Sequence, residues 1–176
     1  MKKKDRLEDI KLDESELHYT YQGGYYVWAE DEKSLVKYRT TLFAYLTVPV
    51  ILFLICGFLP NSGMDGVPLL IIPFAIAFVI YILMWYKTVR FFAAGDKIRK
   101  YVFEETAGRF SMYGQFAVIV SGLGCMAIPI LIIMKSFVWV MPGSILYLLT
   151  MISSVACGVM FSRDTAGMED RYRFLE

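Results

Sequence analysis

Histidine and cysteine are scarce in this chain. His18 is the one histidine, and the three cysteines, Cys56, Cys125 and Cys157, lie far apart inside apolar stretches with no CxxC pair among them. A thiolate metal site needs ligands that converge, and an isolated cysteine in apolar surroundings behaves as a small hydrophobe. The sequence therefore predicts no metal site and no cofactor. Charge is missing from the interiors of the long apolar runs. They hold the hydroxyls of Thr47, Ser121, Thr150, Ser153 and Ser154 but no Asp, Glu, Lys, Arg or His. Coupled carriers and proton relays place ionisable groups at that depth, so a self-sufficient coupled transporter is not expected. A pore built from hydroxyls or backbone carbonyls remains open. HExxH, GxSxG and phosphate-binding loops are absent. The acids Asp96, Glu104, Glu105, Asp164, Glu169 and Asp170 show no regular spacing for holding a metal, and they read as solvated charge. No catalytic residue is expected, and the chain reads as non-enzymatic. The charged start, MKKKDRLEDI, is not followed by an apolar segment and does not read as a signal peptide.

What is abundant is apolar residue content: 57% of 176 residues, with a mean hydropathy of +0.49. It is concentrated in four blocks, residues 42–59, 67–86, 115–134 and 144–161. Eighteen residues of helix rise about 27 Å, close to a hydrocarbon core of roughly 30 Å. The turn at 60–66, PNSGMDG, and the one at 135–143, KSFVWVMPG, are too short for anything but an antiparallel return. The expected fold is an all-α membrane protein, a four-helix transmembrane bundle of two antiparallel hairpins. Its parts are an N-terminal segment 1–41, a first hairpin 42–86, a connector 87–114, a second hairpin 115–161 and a tail 162–176. The formal net charge of +1 gives no electrostatic case for nucleic acid.

The segments outside the blocks carry the rest of the information. Residues 1–17 have the composition of a solvated tail. In HYTYQGGYYVWAE, residues 18–30, two β-prone aromatic runs flank Gly23-Gly24, the pattern of a hairpin. An aromatic segment lying at the headgroup level is the alternative. Residues 30–41 read as a helix running into the first span, where Pro49 is a candidate kink. The connector reads as helix to near Gly95. Its second half, YVFEETAGRFSMY, reads as a hairpin turning at Ala107-Gly108, with helix as the competing reading. These aromatic segments together predict a small cap below the bundle.

Charge sets the orientation. Of the eighteen lysines and arginines only Lys135 falls in an outer turn, and the positive-inside rule then places both termini and the connector in the cytoplasm, beneath a plasma or inner membrane. The connector carries six bases against three acids. Among them Lys87, Arg90, Lys97, Arg99 and Lys100 are candidate contacts for anionic lipid, the simpler reading being that they set topology. Tyr26, Trp28, Tyr101 and Phe103 are candidate docking residues for a protein partner, since aromatic patches on such a face pack on something. The simpler reading is that they pack on one another. Ser121, Gly122, Gly124, Ser154 and Gly158 are candidate helix-packing residues, because small side chains let backbones approach. Blocks 26–38 and 101–113 share Tyr, Val, Glu and Tyr at matching positions, which suggests a tandem duplication with parallel copies. The leading expectation is an accessory or regulatory subunit acting through protein contacts. The alternative is a small transporter or channel working as a homo-oligomer.

Overall fold

The computed structural model describes residues 10–13, 18–21, 24–59, 67–95, 97–134 and 143–175. Four helices dominate it: α1 (Glu32–Phe58), α2 (Pro68–Ala93), α3 (Lys100–Ile133) and α4 (Gly143–Ala166). Each is long and apolar enough to cross a membrane, with a mean hydropathy of 1.9 to 2.6 over its best window. The fold is therefore mostly helical, and the rest of the described chain adds small sheets that an all-α reading leaves out. Residues 60–66 and 135–142 of the two outer turns, the charged segments 1–9 and 14–17, and Asp96 lie outside the described residues.

Local chemistry sets the helix ends. α1 runs unbroken from the lead-in segment into the first span, with Pro49 buried inside it. α2 begins with Pro68, at a position where a backbone N–H has no intrahelical partner to lose. It ends as expected near Gly95, whose φ of +82° is the left-handed conformation that closes a helix and turns the chain away. α3 departs from expectation. The second half of the connector is not a hairpin turning at Ala107-Gly108, because the helix is continuous from Lys100. Phe103, Ala107, Phe110, Gly114, Ala117, Ser121 and Gly124 are all buried, a helical stripe that runs through the supposed turn into the span.

Side-chain pairings show how the helices stand. Phe53 meets Phe74 and Phe43 meets Trp85, so α1 and α2 are antiparallel. Ser111 meets Ser162 and Ser121 meets Ser154, so α3 and α4 are antiparallel as well. Phe91 meets Phe110 across α2 and α3, and Tyr38 reaches Asp164 across α1 and α4, which closes the ring of neighbours. α2 and α4 run parallel across the middle, where the Tyr81 hydroxyl donates to the Ser154 carbonyl at 2.5 Å and the Tyr147 hydroxyl to the Leu70 carbonyl at 3.3 Å. The outward surfaces stay apolar, with Ile55, Ile72, Val79, Ile119, Leu123, Ile152 and Met160 all exposed. In a membrane such faces meet acyl chains.

At one end of the bundle lies a three-stranded antiparallel sheet. Its central strand β3 (Tyr25–Trp28) pairs on one side with β4 (Lys97–Arg99) and on the other with β5 (Tyr172–Leu175). A separate antiparallel pair joins β1 (Ile10–Asp13) and β2 (His18–Tyr21). Both aromatic runs flanking Gly23-Gly24 are strands, but they do not pair with each other as a hairpin would: β2 pairs with β1, and β3 with strands from the connector and the tail. The order strand, helix, helix occurs twice, as β3-α1-α2 and β4-α3-α4. The residue matching of blocks 26–38 and 101–113 is not preserved, since the first is strand, loop and helix and the second is helix throughout.

Candidate functional site

The three-stranded sheet gathers segments that lie before the first span, between the second and third, and after the fourth. They therefore share one end of the bundle. Register assigns the faces, because alternate residues of a strand point to opposite sides. Tyr26 stands opposite Ile98 and Phe174, and Trp28 opposite Tyr172. These residues form the face toward the helices. Ile98 is 1% exposed and Tyr172 7%. The other face carries Tyr25, Val27, Lys97, Arg99, Arg173 and Leu175.

Phe103, on the first turn of α3, is the hub of the cap. Its ring lies 4.0 Å from that of Tyr26 with 13° between the planes, and 5.1 Å from Tyr172 in an edge contact. Phe91 of α2 touches both Phe103 and Tyr172. Such pairs add about 0.5–1.5 kcal/mol each beyond the area they bury. Trp28 is half-buried between Tyr38 and Tyr172, and its Nε1 donates to Ser34 Oγ at 2.9 Å. The Ser34 hydroxyl in turn donates to the Asp31 carbonyl, tying β3 to the start of α1. A Cβ on Gly24 would fall 2.1 Å from the outer edge of the Phe174 ring, which would have to swing aside, and 3.0 Å from the Leu175 carbonyl oxygen. The Tyr172 hydroxyl is buried without a protein partner. Burial raises its pKa, Tyr38 adds to the rise and Arg39 offsets part of it.

The candidate docking residues thus divide. Tyr26 stacks on Phe103, which is 1% exposed, and Trp28 joins the same cluster through Tyr172, which touches both Trp28 and Phe103. Tyr101 is half-buried and lines a hollow beside the sheet. That hollow, of about 320 Å³, is walled by Arg90, Ala94, Lys97, Arg99, Tyr101 and Val102. It brings together three of the five candidate lipid-contacting bases. The other two, Lys87 and Lys100, lie outside it. Lys87 Nζ donates to the Tyr113 hydroxyl at 3.0 Å, and Lys100 Nζ sits 5.4 Å from the centre of the Phe174 ring. A second cleft, of about 250 Å³, lies between the cap and the helix ends and mixes Glu30 and Asp164 with Lys37 and Arg171. Among the described residues no group of histidine, cysteine and carboxylate side chains is placed to hold a metal.

The helix-packing candidates meet at the α3–α4 seam, with one exception. The Ser121 and Ser154 hydroxyls are 2.6 Å apart. A Cβ on Gly124 would come within 2.8 Å of Met151 Sδ, and one on Gly158 within 2.9 Å of Val118. Gly122 faces away, with nothing within 4 Å of the position its Cβ would take. Gly114 belongs to the seam and is not among the sequence candidates, although a Cβ there would lie 2.9–3.0 Å from atoms of Ser162. Its spacing of seven from Ser121 is the signal that marks it.

No protein-family model, curated protein sequence or solved structure matches this chain.

Proposed function

We propose that this is a non-enzymatic accessory or regulatory membrane subunit, with both termini and the cap in the cytoplasm, acting through protein contacts made by the cap. The observation that carries the reading is the sheet. Three segments separated by membrane crossings are drawn into one folded unit, β4-β3-β5. Loops that served only to set topology would not need to pair. The face of the sheet turned from the helices presents Tyr25 and Val27 between Lys97, Arg99 and Arg173, a mixed aromatic and basic surface suited to an acidic partner. The centre of the bundle supports the same reading, because the rings of Phe53, Phe74, Tyr81 and Tyr147 fill it. Cytoplasmic placement follows from the distribution of lysine and arginine.

Purification from the native membrane in mild detergent tests the proposal, with Val27→Asp and Arg173→Glu as variants. A second protein in stoichiometric amount, lost in both variants while the chain still inserts, is the expected result. A homo-oligomer with nothing else bound would overturn it in favour of a small transporter or channel. Flux measurements in liposomes would then be the next step.

A further inference from the structure

We infer that the hollow walled by Arg90, Lys97 and Arg99 binds the phosphate of an anionic lipid headgroup. The cations converge from two elements. Arg90 lies in the last turn of α2, and Lys97 and Arg99 share one face of β4. Among the described residues that wall this hollow there is no carboxylate. Guanidinium groups suit a phosphate because their N–H donors match its oxygens in pairs.

The bases of the connector are not equivalent. Lys87 and Lys100 are directed onto Tyr113 and Phe174, whereas Arg90, Lys97 and Arg99 wall a shared space of about 320 Å³.

Position identifies the ligand as a lipid. Val79, Leu83, Tyr86, Arg90 and Ala94 follow one another at intervals of three or four residues, so they form a single stripe along α2. Val79, Leu83 and Tyr86 are exposed at 54%, 50% and 58%, and Ala94 is a wall of the hollow. Tyr86 and the neighbouring exposed Trp85 mark the level of the membrane boundary. Arg90 lies one helical turn beyond, about 6 Å along the axis. A phosphate in the hollow would thus sit at headgroup depth, with an open apolar track above it for the attached chains. A soluble phosphate compound would use the cations but not the track. The inference rests on the helices crossing a membrane; it shares Lys97 and Arg99 with the sheet face proposed for a protein partner, and the partner variants Val27→Asp and Arg173→Glu lie outside the hollow.

The test uses the full chain in nanodiscs of mixed phosphatidylglycerol and phosphatidylcholine, with retained lipid read by native mass spectrometry. The wild type is expected to retain phosphatidylglycerol selectively. Each cation that holds the phosphate is worth about 1 kcal/mol, a change in retention of about fivefold, so R90Q/K97Q/R99Q should lower it roughly a hundredfold. The pair K87Q/K100Q should leave it within about twofold, because those lysines point elsewhere. K97R should retain the lipid, which separates loss of charge from loss of fold. Equal retention of both lipids by the wild type would overturn the inference. So would an equal loss per charge in K87Q/K100Q, which would mean a diffuse field and no site. Displacement of the lipid by inorganic phosphate at comparable concentration would reassign the hollow to a soluble anion and overturn the lipid assignment.

Discussion

The two helix hairpins share an order of elements and are closed by opposite means. Between α1 and α2 the contact is made by rings, with Phe53 at 5.0 Å from Phe74 and 5.8 Å from Phe78. Between α3 and α4 it is made by near-absence of side chain, at Gly114, Gly124 and Gly158, and by the Ser121–Ser154 hydroxyl pair. Lipid tails are as apolar as leucine, so hydrophobicity does little to draw helices together within a membrane. Close packing and polar links must do it. Interdigitated rings fill a wide gap, whereas glycines remove the gap. The first hairpin should therefore be sensitive to lost volume and the second to added volume.

The largest expected effect tests the second half of that contrast. Gly114→Leu places new atoms against the backbone of Ser162, which cannot move aside as a flexible side chain can, and should cost more than about 3 kcal/mol. Gly57→Leu in α1 meets only the Phe74 ring, at 3.9 Å, and should cost less than about 1 kcal/mol, since leucine also favours helix over glycine. Reversible unfolding in bicelles measures both, and equal costs would erase the distinction between the hairpins.

Next in size is Phe53→Ala, expected to destabilise by roughly 3 kcal/mol through the cavity left among Phe74, Phe78 and Tyr81. The same change at Phe116, which is half exposed on the outside of α3, should be nearly silent. If Phe116→Ala cost as much, the aromatic packing of the first hairpin would not explain the loss.

A smaller effect concerns the cap, which holds the two hairpins together at one end. The phenol of Tyr172 has a pKa above its unfolded value of about 10, chiefly through burial. The folded state keeps its proton where the unfolded chain releases it. Stability is thus intact below about pH 10 and falls above it, by close to 1.4 kcal/mol per pH unit until the folded group titrates. Tyr172→Phe should flatten this alkaline slope, read as the difference between the two proteins in melting temperature against pH. A slope unchanged by the substitution would place the alkaline sensitivity elsewhere. The smallest effect belongs to the Ser121–Ser154 pair, for which a double-mutant cycle with alanine should give a coupling of about 0.6 kcal/mol.

How far the sequence carries depends on the range of the interactions. The four spans, the entry of α1 from its charged lead-in, and the end of α2 at Gly95 are legible because each depends on neighbours in the chain. The small-residue seam is legible for the same reason, apart from the facing of Gly122 and the part played by Gly114. The sheet is not. Strands of three or four residues such as Lys97–Arg99 and Tyr172–Leu175 carry no local signal strong enough to distinguish them from charged loops, and their partners are distant in sequence. The same limit hid the hollow: the six bases of the connector look alike until β4 brings two of them beside Arg90. The buried positions from Phe103 to Gly124 do carry a helical period, and weighing that period above the turn-forming pair Ala107-Gly108 would have placed α3 correctly.

The sheet also sets an order of events during synthesis. β3 leaves the ribosome before any membrane helix, yet its partner β5 follows all four. At cellular elongation rates the interval is on the order of ten seconds. Throughout that time Tyr26 and Trp28 belong to an unfinished surface that a chaperone or a protease can read. Closure by Tyr172 and Phe174 then marks a chain whose every span has been made and seated.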